Sequence, residues 1–155
     1  MDSINLEPLN LPRSPLKIKH EDEKHLVFDV FRKKYVVLTP EEWVRQNFAH
    51  YLIKDKNYPE TLISTERAVK INTKSNRSDL IAYNRNAEAL LLVECKATTV
   101  KIDQSTFDQI AVYNYKVGAK YLVVTNGLMH YCCVVDPENK KYIFLKDIPD
   151  FKECQ

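Results

Sequence analysis

The chain has 155 residues, 45% apolar and 28% charged, with 23 lysines and arginines against 21 acids and a formal net charge of +2. That length suits one domain with a real core, and the balance excludes both a disordered chain and a polycation that would hold nucleic acid by charge alone. The N-terminus carries Asp2 and no apolar signal region, and no run approaches the ~18 apolar residues of a membrane span, so neither secretion nor insertion is expected.

Residues 1–15 hold three prolines and little periodicity, which reads as an extended or poorly ordered arm ahead of a single domain over 16–155. Leu26 to Phe31 and Tyr35 to Leu38 read as strands around the basic turn Arg32-Lys33-Lys34. A helix is expected near 40–54. Thr39 is its N-cap, Pro40 suits the first helical position, Glu42 completes a T-x-x-E capping box, and Val44, Phe48, Tyr51 and Leu52 follow at core-facing spacing. A strand near Ile63 to Ile71 comes next, and Arg67, Lys70, Lys74 and Arg77 make a second basic stretch. The two basic clusters could neutralise phosphates, and read equally well as solvated faces.

Residues 77–96, RSDLIAYNRNAEALLLVECK, read as a hairpin. Leu90-Leu91-Leu92-Val93 is the continuous apolar run of a strand buried on both faces, Leu80-Ile81-Ala82-Tyr83 is its shorter partner, and two asparagines between them tolerate turn dihedrals. Asp79 and Glu94 lie equally far from the turn, so the hairpin sets them side by side. Residues directly opposite in an antiparallel pair have Cβ atoms roughly 4.5–5.5 Å apart. Lys96 projects from the same face as Glu94, and Cys95 from the opposite, core face. Charges at the end of an apolar strand are costly unless paired or metal-bound. Two hard oxygen ligands beside an ammonium make a minimal site for Mg²⁺-assisted phosphodiester hydrolysis; an ordinary ion pair at a sheet edge is the plainer alternative.

A second helix is expected over 104–117, capped by Asp103 or Ser105 and stopped by Gly118, with Phe107, Ile110, Ala111 and Val117 as its apolar stripe. Gln109 and Tyr113, four apart, should share a different face that could look across the site. Strands at Lys120 to Thr125, His130 to Val135 and Tyr142 to Leu145 complete an α/β domain with a mixed sheet flanked by helices. Cysteines at 95, 132, 133 and 154 and four scattered histidines show no zinc-ligand spacing, and reduced thiols suit the cytoplasm.

The order Asp79, then Glu94-Cys95-Lys96, resembles the signature of the PD-(D/E)xK nuclease superfamily, and Gln109-Ile110-Ala111-Val112-Tyr113 resembles the Q-x-x-x-Y motif that follows the core in some members. With Thr39-Pro40-Glu41-Glu42-Trp43-Val44-Arg45-Gln46 upstream, the arrangement is most similar to the nuclease domain at the N-terminus of type I restriction enzyme R subunits. The resemblance spans roughly Thr39 to Asp136. In one departure, Ser78 replaces the proline that names the motif, a position that is not a ligand. The resemblance implies a restriction-endonuclease-like sheet and metal-dependent DNA cleavage in a restriction or DNA-processing context. Asp79, Glu94 and the Cys95 carbonyl would hold Mg²⁺, for which Mn²⁺ can substitute; Lys96 would be catalytic, Gln109, Tyr113 and Arg77 would contact substrate, and Glu42 is a further acid from the first helix. With only Gly118 and Gly127, no Walker-type loop exists in this chain. DNA is the expected partner, with a homodimer or a separate ATP-dependent motor or specificity subunit beside it. The alternatives are a module that keeps the nuclease fold to bind nucleic acid or assemble without cutting, and a domain whose charges only pair.

Overall fold

The structure is a computed structural model and describes residues 6–65, 80–136, 138 and 141–154. Three strands come first, β1 (Ile18–Glu21), β2 (Lys24–Asp29) and β3 (Lys34–Val37), followed by helix α1 (Pro40–Lys54) and strands β4 (Ile63–Ser64), β5 (Leu80–Tyr83) and β6 (Ala89–Cys95). Helix α2 (Gln104–Val117) leads into β7 (Tyr121–Thr125), β8 (His130–Asp136) and β9 (Lys141–Leu145). The first three strands form an antiparallel sheet of their own. β1 was not foreseen in the sequence, because all four of its residues are exposed and leave no alternation to read. The other six strands form a second sheet in the order β4-β5-β6-β7-β8-β9. Among the described strands only β6 and β7 run parallel, with α2 as their crossover. The long strand expected from Ile63 appears as β4, and from residue 66 it lies outside the described residues.

The larger sheet is buried on both faces, which is why β6 reads as an unbroken apolar run. One face carries Leu91, Val93 and Cys95 and is covered by Val44, Phe48 and Leu52 of α1. The other carries Ile81, Leu92, Leu122 and Val124 and is covered by Ile110 and Tyr113 of α2. Cys132 and Cys133, adjacent on β8, divide between the two faces as alternation requires.

Two local expectations change. At the N-terminus of α1, the Glu42 N–H donates to Thr39 Oγ1 at 3.1 Å, which is the first half of a capping box. The return bond is absent: the Thr39 N–H goes to the Val37 carbonyl, and the Glu42 carboxylate turns to Arg45 and Gln46. The full capping box occurs at α2 instead, between Asp103 and Thr106. The N-terminal arm, expected to be extended or poorly ordered, is extended over its described residues 6–15 and docked on the core. Trp43 Nε1 donates to the Glu7 carbonyl at 2.8 Å, the Asn10 N–H donates to the Gly127 carbonyl at 2.8 Å, and Leu9 and Leu11 pack on the α1 face of the core.

Candidate active site

The hairpin that presents the site is fixed by its turn and its apolar partners. Asn84 Oδ1 accepts from the backbone N–H groups of Asn86 and Glu88, both at 2.9 Å, an Asx-type turn. The left-handed residue of the turn is Ala87 (φ 63°) rather than either asparagine, since Asn84 is used for its side chain. A bulge between Ala82 and Tyr83 absorbs one residue, and beyond it the register is Ala82 with Leu91, Ile81 with Leu92 and Leu80 with Val93. This is the register expected from the symmetry of the segment. Asp79, Ser78 and Arg77, together with the basic positions Arg67, Lys70 and Lys74, lie outside the described residues.

Glu94 follows Leu92 by two positions, so it emerges on the α2 face of the sheet, with Lys96 two further on. Their side chains are 22% and 29% exposed, and Lys96 Nζ stands 2.9 Å from Glu94 Oε1. Neither charge is sealed in the core, and neither is free in bulk water. Glu94 Oε2 makes no hydrogen bond to a described residue. Cys95, between them, faces the α1 side and is buried. The parallel neighbour β7 anchors the strand end: the Lys96 N–H donates to the Thr125 carbonyl at 2.8 Å.

Helix α2 separates the two residues expected to share a face. Tyr113 is 5% exposed and packs with Leu92, Val124 and Ile110 on the sheet face that carries Glu94. Gln109 is exposed. Four residues turn a helix by 400°, which leaves the pair about 40° apart, enough at this helix to cross from core to solvent.

Glu42 is 5% exposed, and its two oxygens are engaged within its own helix, one by Arg45 and the other by Gln46 Nε2 at 3.0 Å. Among the described residues, no hydrogen bond or ion pair links it to Glu94 or Lys96. The helix it begins covers the opposite face of the sheet. Of the basic turn, Arg32 lies against the fully buried Asp29 (Nε to Oδ2, 3.4 Å), which leaves Lys33 and Lys34 as the exposed cations. Burial pushes the Cys132 and Cys133 thiols up to about 12 and about 11, so neither is a thiolate at neutral pH.

A supporting turn escaped the sequence reading. Asn126 Nδ2 donates to the Val100 carbonyl at 2.9 Å and tethers the loop that follows Lys96, while Asn126 Oδ1 accepts from the N–H groups of Leu128 and Met129. Beside it, His130 Nε2 lies 2.8 Å from the Asn10 carbonyl, so that nitrogen carries the proton and Nδ1 accepts from the Thr125 hydroxyl at 2.7 Å. The only signal in the sequence was Thr125-Asn126-Gly127, which reads as a plain turn.

The family model for the type I restriction enzyme R protein N terminus matches residues 40–149. The chain belongs to that family. No curated protein matches it. Among solved structures, it is similar to a fragment of a putative HsdR subunit of a type I restriction enzyme from Vibrio vulnificus YJ016, with 18% identity and a TM-score of 0.52. The likeness covers 76% of this chain and 24% of that one, so this R-protein N-terminal domain spans about a quarter of its structural relative. At that identity the likeness shows the fold: a six-stranded mixed sheet with helices on its two faces. Among the described residues, no helix is long and apolar enough to cross a membrane.

Proposed function

We propose that this domain is a metal-dependent nuclease of the PD-(D/E)xK type that hydrolyses DNA phosphodiesters within a restriction system. The observation that carries the reading is the Glu94–Lys96 pair, held at 2.9 Å on one face at the end of an otherwise apolar strand and still reachable by solvent. Partial desolvation makes such a pair expensive to keep for structure alone.

The Glu94 carboxylate fits a hard cation, since it is an oxygen donor with incomplete cover and one oxygen uncommitted among the described residues. Those residues contain no group of three metal-binding side chains. The donor set therefore depends on Asp79 joining Glu94 and the Cys95 carbonyl, with Glu42 as a further acid if it leaves Arg45. Mg²⁺ bound there would polarise the phosphate and lower the pKa of a bound water. Lys96, whose ammonium stands 2.9 Å from Glu94 Oε1, would stabilise charge developing on the phosphate oxygens. Tyr113, packed on the sheet face that carries Glu94, would position that acid from the core side, and Gln109, on the exposed side of α2, would meet the nucleic acid together with Arg77. Residues 1–155 hold no Walker loop, so ATP-driven movement would have to come from outside this stretch, with a specificity subunit beside it.

The deciding experiment incubates the purified chain with linear, circular and single-stranded DNA, and with RNA, in Mg²⁺, Mn²⁺ or EDTA. Cleavage that needs the metal and falls at least a hundredfold in Asp79→Asn, Glu94→Gln and Lys96→Met, with unchanged circular dichroism, is the expected result. DNA binding without cleavage in any metal would leave the reading of a module that only binds or assembles.

A further inference from the structure

The small sheet of β1, β2 and β3 has one face turned inward and one turned out. On β2, Val27 and Asp29 are fully buried, so Leu26 and Phe28 project from the opposite, partly exposed face. The register sets Leu26 between Lys19 of β1 and Val37 of β3, and sets Phe28 beside Tyr35. One step beyond β1, the Phe28 N–H donates to the Lys17 carbonyl at 2.9 Å, which brings Lys17 to the same outer face. That face presents two rings packed edge to face, Phe28 and Tyr35, with centroids 5.3 Å apart. Lys17 Nζ stands 5.6 Å from the Phe28 centroid and Lys19 Nζ 4.1 Å from that of Tyr35. With the lysine above it Tyr35 is still 38% exposed, and Val37 is 48% exposed.

Charge divides between the two ends of this sheet. The acids Glu21, Asp22 and Glu23 gather at the β1–β2 turn, where Glu21 pairs with Lys19 at 2.8 Å. At the other end, where the two rings lie, exposed Lys17, Lys33 and Lys34 face one acid, Asp29, which is buried against Arg32. Rings lying open on a sheet take the faces of unpaired bases, and ammonium groups around them neutralise phosphates. A cation resting over an exposed ring is weakly held, so it can turn to a phosphate while the ring takes a base. A duplex keeps its bases stacked on one another and would use the lysines alone; an acidic peptide would likewise leave the rings without a partner. We propose that the outer face of the β1–β3 sheet binds single-stranded nucleic acid, with bases stacked on Phe28 and Tyr35 and phosphates held by Lys17, Lys19 and the Lys33–Lys34 turn. The family match begins at residue 40, after this sheet. The surface is therefore additional to the part matched by the family, and it does not rest on Glu94 and Lys96 cutting a phosphodiester.

Fluorescence anisotropy with labelled oligothymidine and oligouridine tests the proposal, run in EDTA so that binding is read without metal-dependent cleavage. Wild type should bind at least one of them more tightly than a duplex of the same length, and the tighter of the two identifies the backbone preferred. Tyr35→Ala should weaken binding about fivefold or more, the loss of one stacked base, while Tyr35→Phe keeps the ring and should bind as wild type does. Lys17→Gln should lower the slope of log affinity against log salt by about 0.7, one phosphate contact on a single strand. Tyr35 and Lys17 are both exposed, and unchanged circular dichroism confirms that the variants are folded. Glu94→Gln should bind as wild type does, which separates this surface from the proposed active site. Wild type that binds neither oligonucleotide, or that binds duplex more tightly, overturns the proposal. So does Tyr35→Ala binding at full strength, or binding lost in Glu94→Gln and kept in Tyr35→Ala. Poly-glutamate that displaces the oligonucleotide as well as unlabelled oligothymidine does would mark the face as a dock for acidic protein segments, and would likewise overturn it.

Discussion

Glu42 shows how far a residue's neighbours outrun its motif. Its position three after Thr39 invites a capping role, and the cap does form, but through the backbone N–H of Glu42 and not through its carboxylate. The carboxylate is nine-tenths buried with Arg45, whose side chain is 12% exposed. Removing one member of a buried pair leaves the other charge short of a partner and costs about 3 kcal/mol at the lower end of such cases, or roughly 6–12 °C of melting temperature for a chain of this size. Glu42→Ala is therefore expected to melt well below wild type. Glu42→Gln keeps the shape and the bond to Gln46 but loses the charge, so it should fall between the two. If thermal melts instead place Ala and Gln at the wild-type temperature, the pair contributes nothing to the fold. Cleavage assays on Glu42→Gln address the separate question of whether this acid also serves a metal.

At the level of elements, the docked arm is the unexpected feature. It is seated by Gly127, whose φ of 86° belongs to the region that favours glycine. A Cβ at that position would come within 2.6 Å of Leu9 Cδ2 and 3.2 Å of Val44 Cγ2. Gly127→Ala is expected to strain the turn by roughly 1–2 kcal/mol and to push Leu9 off the core. The chain has one tryptophan, Trp43, and its indole donates to Glu7 in the arm. Its emission therefore reports docking directly. Gly127→Ala should red-shift the emission and speed proteolysis of the arm, and Leu9→Ala should do the same without strain at the turn. An unmoved emission maximum in both variants would mean that the arm is held by other contacts. Helix α2 ends by the same chemistry with more room: Gly118 is left-handed at φ 74°, and nothing lies within 4 Å of a Cβ built there.

Across the whole molecule, a metal site couples to folding. Ligand that binds only the folded state stabilises it by mass action, about 2.7 kcal/mol at a hundredfold excess over Kd, which is roughly 5–10 °C here. In EDTA, the proposed pairing of Asp79 with Glu94 sets like charges together and would oppose folding, so Asp79→Asn is expected to melt at or above wild type. With Mn²⁺ added, wild type should gain the full shift, and Asp79→Asn and Glu94→Gln should gain far less. Equal Mn²⁺ shifts in all three proteins would remove the metal site, whether or not a substrate is ever found. This readout needs no cleavage, so it separates a wrong site from a wrong choice of nucleic acid.

Both helices, the strands from β5 onward and the hairpin register could be read from the amino-acid order, because each depends on near neighbours. Thr39-Pro40 starts α1, Asp103 and Gly118 bracket α2, and the apolar runs on either side of Asn84 pair only where their buried faces coincide. Period-two alternation likewise put Glu94 and Lys96 on one face and Cys95 on the other. What lies over those faces was not in the order of residues. Gln109 and Tyr113 were expected together, yet one is in water and the other in the core, since the plane where a helix meets its sheet is set by Ile81, Leu92 and Val124 far along the chain. Asn126 as the tether for the loop after Lys96 and the packing of Leu9 over Gly127 both join segments distant in sequence. Local propensity fixes where an element begins and which way its side chains point. Only the closed core, where burial removes water from every unpaired group at once, decides which of those side chains meet.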